Sequence, residues 1–414
     1  MLIVHPSIVT APLAPATSLF SHVEMAPRDP ILGVNEAFQA DTNSRKVNLG
    51  VGVYTDESGK IPLLQCVRRA EAAMAEQAAP RGYLPIDGIA AYDRAAQGLI
   101  FGADSAVVRE ARAVTVQTLG GTGALKVGAD LLQRLTPASS VYISKPSWEN
   151  HRALFEGAGF AVHDYAYYDA ATRGLDFPAF LAAVRSMPAG SIVVLHACCH
   201  NPTGVDPTAE QWAQIIAAVR EAGLIPFLDL AYQGFGDGVD ADAAVVRQFA
   251  STPGPLFVSS SFSKSFSLYG ERVGALSIVA ANRDEAQRVL SQLKRVIRTN
   301  YSNPPTHGGA IIAAALSDAE ARKLWEQELA AMRERIRSMR VALHAALKQR
   351  APQANFENIL SQRGMFSYSG LTKEQVHRLR SEFGVYALDS GRICVAALNP
   401  RNVDYVADSI AHVL

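Results

Sequence analysis

The segment Ser259-Ser-Ser-Phe-Ser-Lys-Ser-Phe-Ser-Leu-Tyr-Gly-Glu-Arg-Val-Gly274 crowds hydroxyls around one lysine, Lys264, and follows it with Arg272. A lysine amine attacks carbonyls and forms Schiff bases when burial or neighbouring cations lower its pKa. Hydroxyls such as Ser261 and Ser263, with a guanidinium beside them, suit a phosphate group. A lysine nucleophile next to a phosphate cradle meets the needs of a phosphorylated aldehyde cofactor, pyridoxal phosphate. The competing reading is a serine-rich loop with a solvated lysine.

Four other segments carry possible chemistry. Residues 224–232 form an apolar run that ends in Asp229 and Tyr232. A carboxylate in such company is costly unless paired. A pyridinium nitrogen is a suitable partner, and an N-cap for a following helix is the plainer alternative. Gly120-Gly-Thr-Gly-Ala-Leu-Lys126 reads as a turn opening a helix, which presents free amides to an anion. It lacks both the GxGxxG spacing and the GK[ST] ending of nucleotide loops. His196-Ala-Cys-Cys-His-Asn-Pro-Thr-Gly204 does not have the paired spacing of zinc ligands, so no metal is expected, and Asn201 falls at a strand's carboxyl end. Arg392, ahead of a short apolar strand, offers a fork that matches a carboxylate, with a surface salt bridge as the alternative.

The elements around these residues alternate. Apolar, β-branched runs at 113–117, 140–143, 191–196, 225–229 and 256–260 predict buried strands. The stretch 208–222 between them has helical periodicity, with Trp212, Ile215, Ile216 and Val219 on one face. This pattern predicts an α/β fold whose mostly parallel sheet binds ligands at its carboxyl ends. After Pro305, Trp325, Leu329, Met332, Ile336, Met339, Leu343 and Leu347 recur at three- and four-residue steps, predicting one long amphipathic helix. A smaller α+β part follows, with short strands near 364–369 and 393–397. At 414 residues the chain exceeds what a single core usually supports. The expected division is an N-terminal extension at 1–28, a first piece of a small domain at 29–60, a large domain at 61–320, and the long helix with the small C-terminal domain at 321–414.

Equal numbers of acidic and basic residues, 39 each, give no long-range attraction for nucleic acid or an anionic membrane. Four cysteines, two of them adjacent, read as free thiols in a reducing cytoplasm. No stretch approaches the roughly 18 to 20 apolar residues that span a bilayer. Residues 1–20 are broken by Pro6, Pro12 and Pro15 and lack a basic start, so they read as a floppy extension or a doubtful start site rather than a signal peptide.

In order along the chain, Tyr83, Gly-Gly-Thr-Gly, Trp148, Asn201-Pro-Thr-Gly, Asp229 with Tyr232, Ser-x-Ser-Lys264, Arg272 and Arg392 resemble the class I aminotransferases of the aspartate and aromatic amino-acid type. The likeness runs from about Asp29 to the C-terminus. It implies the fold of the type I pyridoxal-phosphate enzymes and a homodimer with shared active sites. Lys264 would carry pyridoxal 5'-phosphate as a Schiff base and shuttle the substrate proton. Asp229, supported by His151, would pair with the pyridinium. Tyr232 and Asn201 would bond the ring oxygen, and Trp148 would stack on the ring. Gly121, Thr122, Ser261, Ser263 and Arg272 would hold the phosphate, with Tyr83 reaching over from the second subunit. Arg392, helped by Gly52, would grip the substrate α-carboxylate. Arg298 of the neighbouring copy would meet a distal carboxylate.

The phrases at 117–130, 148–151 and 227–235, together with Ile61, are similar to bacterial aromatic-amino-acid aminotransferases. Thr122 and Asn303 look more like the aspartate-selective branch. The resemblance therefore implies small-molecule amino acids and 2-oxo acids as substrates: 2-oxoglutarate with aspartate and aromatic amino acids. Competing readings are another pyridoxal-phosphate reaction such as elimination or decarboxylation, a non-catalytic ligand sensor on the same fold, and an NAD enzyme.

Overall fold

The computed structural model describes residues 18–26 and 29–414. Apart from 18–26, the N-terminal extension expected over residues 1–28 lies outside the described residues, as does most of the segment 1–20. Seven strands form the central sheet: β1 (Ala113–Leu119), β2 (Ser140–Lys145), β3 (Ala161–Ala166), β4 (Ile192–His196), β5 (Ile225–Leu230), β6 (Leu256–Ser261) and β7 (Val273–Val279). Their spatial order is β1-β7-β6-β5-β4-β2-β3. All run parallel except β7, which is antiparallel to both β1 and β6. The link from β6 to β7 carries no crossover helix, so β7 can only return against its neighbour.

Alternation along the strands sorts the core into two layers. Ile192, Val194, Phe227, Phe257, Leu276 and Ile278 face one way, and Val193, Leu195, Leu228, Val258 and Ala275 face the other. The first face is covered by the helices Gly120–Leu135, Glu149–Gly157 and Arg283–Asn300. Gly128 lets the first of these lie flat on the sheet, because a Cβ there would stand 2.6 Å from Phe227 Cζ. On the second face lies Ala209–Glu221, whose Thr208 closes a capping box with Gln211.

The long helix is Ala319–Arg350, and all seven residues of the predicted stripe are buried in it. Its Trp325 donates to Ser265 O at 2.8 Å and stacks on Phe266, which anchors the lysine segment from below. Near the C-terminus, Phe366–Tyr368 pairs with Arg392–Cys394. The strand expected at 393–397 is shorter than predicted, because Val395–Ala397 turns into a 3₁₀ helix. Val47–Asn48 pairs in parallel with Val385–Tyr386, joining the early residues to the last part of the chain. All four cysteines are free and buried. No helix among the described residues is long and apolar enough to cross a membrane.

Candidate active site

The carboxyl ends of β1, β2, β4, β5 and β6 converge on a cavity of about 280 Å³. Every site residue expected from the sequence lines it except His151, Tyr83 and Arg298. His151 is fully buried just behind Asp229. Tyr83 is 98% exposed, and Arg298, near the end of the helix Arg283–Asn300, is exposed and bonded to Ser302. Neither of these two reaches this chain's own cavity.

Asp229 sits within β5, not at a helix N-terminus. His151 Nε2 lies 3.0 Å from its Oδ2, and His151 Nδ1 lies 2.9 Å from Ser147 Oγ. A carboxylate only accepts, so Nε2 carries a hydrogen and donates it to Asp229. Burial pushes Asp229 toward the neutral acid, but the His151 hydrogen bond and the positive charge of Lys264 hold it below the usual carboxylate range. The floor of the cavity thus presents an anion.

The Lys264 amine lies 4.9 Å from the Tyr232 ring centre. Burial lowers its pKa to about 8, against the pull of Asp229 and with help from Arg272 and Arg392. That value leaves a usable fraction of neutral amine near neutral pH.

At the other end, the helix Gly120–Leu135 points its free N-terminal amides at Ser261, Ser263 and Arg272. Gly120 has φ +69°, a backbone conformation strained for any other residue, and a Cβ on Gly121 would stand 3.2 Å from Ser261 Cβ, a tight approach that its absence relieves. Arg272 donates to Tyr269 O at 2.8 Å and lies 3.4 Å from Ser263 Oγ, with no carboxylate at ion-pair distance among the described residues. Amides, hydroxyls and a guanidinium without a counter-charge form a phosphate cradle. Together with the buried amine and the anionic floor, this donor set fits pyridoxal phosphate.

Arg392 is 1% exposed. It donates to Gly50 O at 2.6 Å and to Asn201 Oδ1 at 3.1 Å, while its Nε has no partner. Its guanidinium lies 4.1 Å from the centre of the Phe366 ring, which also closes over Gly52: a Cβ at Gly52 would come within 2.6 Å of Phe366 Cζ. No carboxylate among the described residues lies at ion-pair distance from this buried cation, Glu149 acting on it only from farther off, so a bound anion is the natural complement.

His196, Ile31, Val51, Val53, Leu125, Ala231, Tyr269 and Phe366 also line the cavity and were not singled out by sequence. For His196 there was a signal, a polar residue ending an otherwise apolar strand. Neither of its ring nitrogens has a partner, and burial holds its pKa at about 3, so the ring is neutral. Ligand atoms of His151, His196 and Asp229 lie within 4.8 Å of one another. With the His151 nitrogen donating to Asp229, the arrangement is a hydrogen-bonded carboxylate rather than a coordinating set.

Residues 44–410 match the family model described as aminotransferase class I and II. The chain is 61% identical over 397 residues to an aspartate aminotransferase of Pseudomonas aeruginosa, covering 96% of this chain and all of that one. It is 51% identical over 399 residues to an aromatic-amino-acid aminotransferase of Escherichia coli, with the same coverage. Among solved structures, the aromatic-amino-acid aminotransferase of Burkholderia pseudomallei, covalently bound to pyridoxal phosphate, superposes with a TM-score of 0.94 at 65% identity, covering 96% of this chain and 100% of that one. An aromatic amino-acid aminotransferase of Psychrobacter sp. B6, cocrystallised with aspartic acid, gives a TM-score of 0.94 at 47% identity over 95% of this chain and 99% of its own.

Proposed function

The chain belongs to the class I and II aminotransferase family, and we propose that it moves the amino group of L-aspartate or an aromatic L-amino acid to 2-oxoglutarate with pyridoxal 5'-phosphate as cofactor. One observation carries this reading: the buried Lys264 amine shares its cavity with a carboxylate-free Arg392 and a phosphate cradle.

The cofactor, when bound, supplies an aldehyde to take the amino group and a cationic ring that draws electrons from the substrate Cα–H bond. The chain's residues do the rest. Gly121, Thr122, Ser261, Ser263 and Arg272 hold the phosphate. Asp229, kept anionic by His151, pairs with the ring nitrogen and so keeps it protonated. Tyr232 and Asn201 bond the ring oxygen, and Trp148 covers the ring face. Arg392 orients the substrate by its α-carboxylate, beside Gly52. Lys264 holds the cofactor covalently at rest; once displaced by substrate, its amine takes the α-proton and passes it on. The amino donor leaves as its oxo acid before 2-oxoglutarate enters, which makes the kinetics ping-pong.

A homodimer completes the site. Tyr83 and Arg298 are exposed and do not line their own cavity, which suits service to a second copy, Tyr83 at the phosphate and Arg298 at a distal carboxylate. The division at residues 28, 60 and 320 is part of the same reading, as is a cytoplasmic location suited to four free thiols.

Visible absorbance of the purified protein tests the proposal. A violet-to-blue band that moves toward the near-ultraviolet on adding aspartate or phenylalanine is expected. A protein that stays colourless after incubation with pyridoxal phosphate refutes it.

A further inference from the structure

Asn201 joins the two halves of the cavity. Its Oδ1 accepts from Arg392 at 3.1 Å, and its Nδ2 lies 3.4 Å from Tyr232 Oη. It also sits in a loop with little regular structure. The residue two before it, Cys199, has a left-handed backbone (φ 52°), which costs a non-glycine residue on the order of 1 kcal/mol or more and persists only when neighbours enforce it.

The enforcing contacts are specific. The Asp206 carboxylate accepts from Cys199 N at 2.7 Å and His200 N at 2.9 Å, one oxygen for each amide. The His200 ring is buried and uses both nitrogens, Nε2 with Ser144 Oγ at 2.9 Å and Nδ1 with Thr203 Oγ1 at 2.8 Å. It stacks on Tyr167, with ring centres 4.0 Å apart and planes 13° apart, and Tyr167 donates onward to Val205 O at 2.7 Å. Gly204 N closes the turn on His200 O at 2.6 Å. Burial keeps the His200 imidazole well below its ordinary pKa and therefore neutral, while it raises the Asp206 carboxyl to about 6, so Asp206 is the member of this network that titrates and it accepts as a carboxylate above that pH. Neither His200 nor Asp206 lines the cavity.

We propose that His200 and Asp206 are positioning residues that fix the Asn201 amide between Arg392 and Tyr232, and through it both the grip on the substrate carboxylate and the bond to the cofactor's ring oxygen. The inference rests on the aminotransferase reading. Asn201 donating to the ring oxygen favours its deprotonated form, so a displaced Asn201 raises the pKa of the cofactor's visible absorbance. A slack Asn201 also leaves Arg392 less well oriented, which weakens a dicarboxylate that cannot react.

The test uses the cofactor-loaded dimer of wild type, Asn201→Ala, His200→Leu, Asp206→Asn and each pair with Asn201→Ala. Succinate binding and the pH midpoint of the visible band are measured by titration. His200→Leu and Asp206→Asn are each expected to weaken succinate about five- to tenfold, the loss of about one hydrogen bond, and to move the midpoint upward, both in the direction of Asn201→Ala. Combined with Asn201→Ala they should add nothing, because they act through that residue. Additive effects, or a lower melting temperature with succinate binding and midpoint unchanged, would overturn the inference. Should His200→Leu fail to fold, Asp206→Asn, nearly isosteric, decides between the same outcomes. A wild type that takes up no pyridoxal phosphate overturns the aminotransferase reading itself, whereas a loaded wild type with additive variants overturns only the positioning of Asn201.

Discussion

Replacing Arg392 by lysine isolates the fork from the charge. The native guanidinium is buried, spends one bond on Gly50 O and one on Asn201, and has an unpartnered Nε. Lysine keeps a cation but not a planar fork, so it cannot hold a carboxylate bidentately while also bonding both protein acceptors. At least one bond to substrate and one to the protein are lost. Charge-assisted hydrogen bonds contribute about 1.5–3 kcal/mol each, so the lower bound is about 3 kcal/mol. At about 1.4 kcal/mol per tenfold, kcat/KM should fall by about 150-fold or more. The assay is steady-state kcat/KM with 2-oxoglutarate as acceptor and either aspartate or phenylalanine as donor, on protein whose visible band confirms full cofactor loading. Both donors present the same α-carboxylate, so both should fall by the same factor. A loss on one donor only, or less than about tenfold on both, would refute the assignment of Arg392 to the α-carboxylate.

Lys264→Ala should lose more than about a thousandfold in turnover, since it removes both anchor and base; near-normal rates without added amine would contradict this. Arg298→Ala should depress kcat/KM for aspartate and spare phenylalanine, and equal losses on both would dismiss a shared side-chain pocket. In the cofactor-free protein, Lys264 with a pKa of about 8 is mostly ammonium below that pH. The rate of capture of pyridoxal phosphate, followed by stopped-flow absorbance, should therefore rise about tenfold per pH unit below about 8 and level off above it, and a flat profile would exclude this amine as the attacking group. Gly274→Ala would place a Cβ 2.4 Å from Gly120 C and 2.7 Å from Ser260 O. Both are backbone atoms that cannot swing aside, so a lower melting temperature, from overpacking of about 1–3 kcal/mol, and weaker cofactor retention are expected together; retention unchanged would separate β7 from the cradle.

The strands that the sequence discloses are those buried on both faces. The runs at 113–117, 140–143, 191–196, 225–229 and 256–260 each extend or trim by two residues or fewer in the structure. β3 escaped because it is an edge strand, with Val162 and Tyr165 set among exposed His163 and Asp164, so no apolar run marks it. β7 escaped for another reason: Gly274 and Ser277 interrupt its apolar residues, Gly274 because Gly120 passes against it and Ser277 because it bonds Thr115 across the sheet at 2.8 Å. Both causes lie in neighbours distant along the chain. The same distance hid the apolar lining. Phe366 and Ile31 stand far apart in sequence and have no chemistry to flag them, yet both close the cavity.

Residues with chemistry were legible because burying them is expensive without a partner. Lys264 is half-buried and Arg392 deeply buried, and the cavity they share offers one anionic side chain among its lining residues, Asp229, already bonded to His151. A fold that only needed stability would replace such groups by apolar side chains of similar volume at no loss. Their retention makes sense if anions arrive with the ligands: a phosphate for Arg272 and the helix N-terminus, a carboxylate for Arg392. The imbalance also explains why Asn201 is held from behind. An amide that accepts from one buried cation and donates toward a phenol loses its bond to that cation if it flips. Asp206 and His200 remove that freedom before any ligand binds, so less ordering remains to be done on binding and more of the substrate's binding energy goes to orienting the bond that breaks.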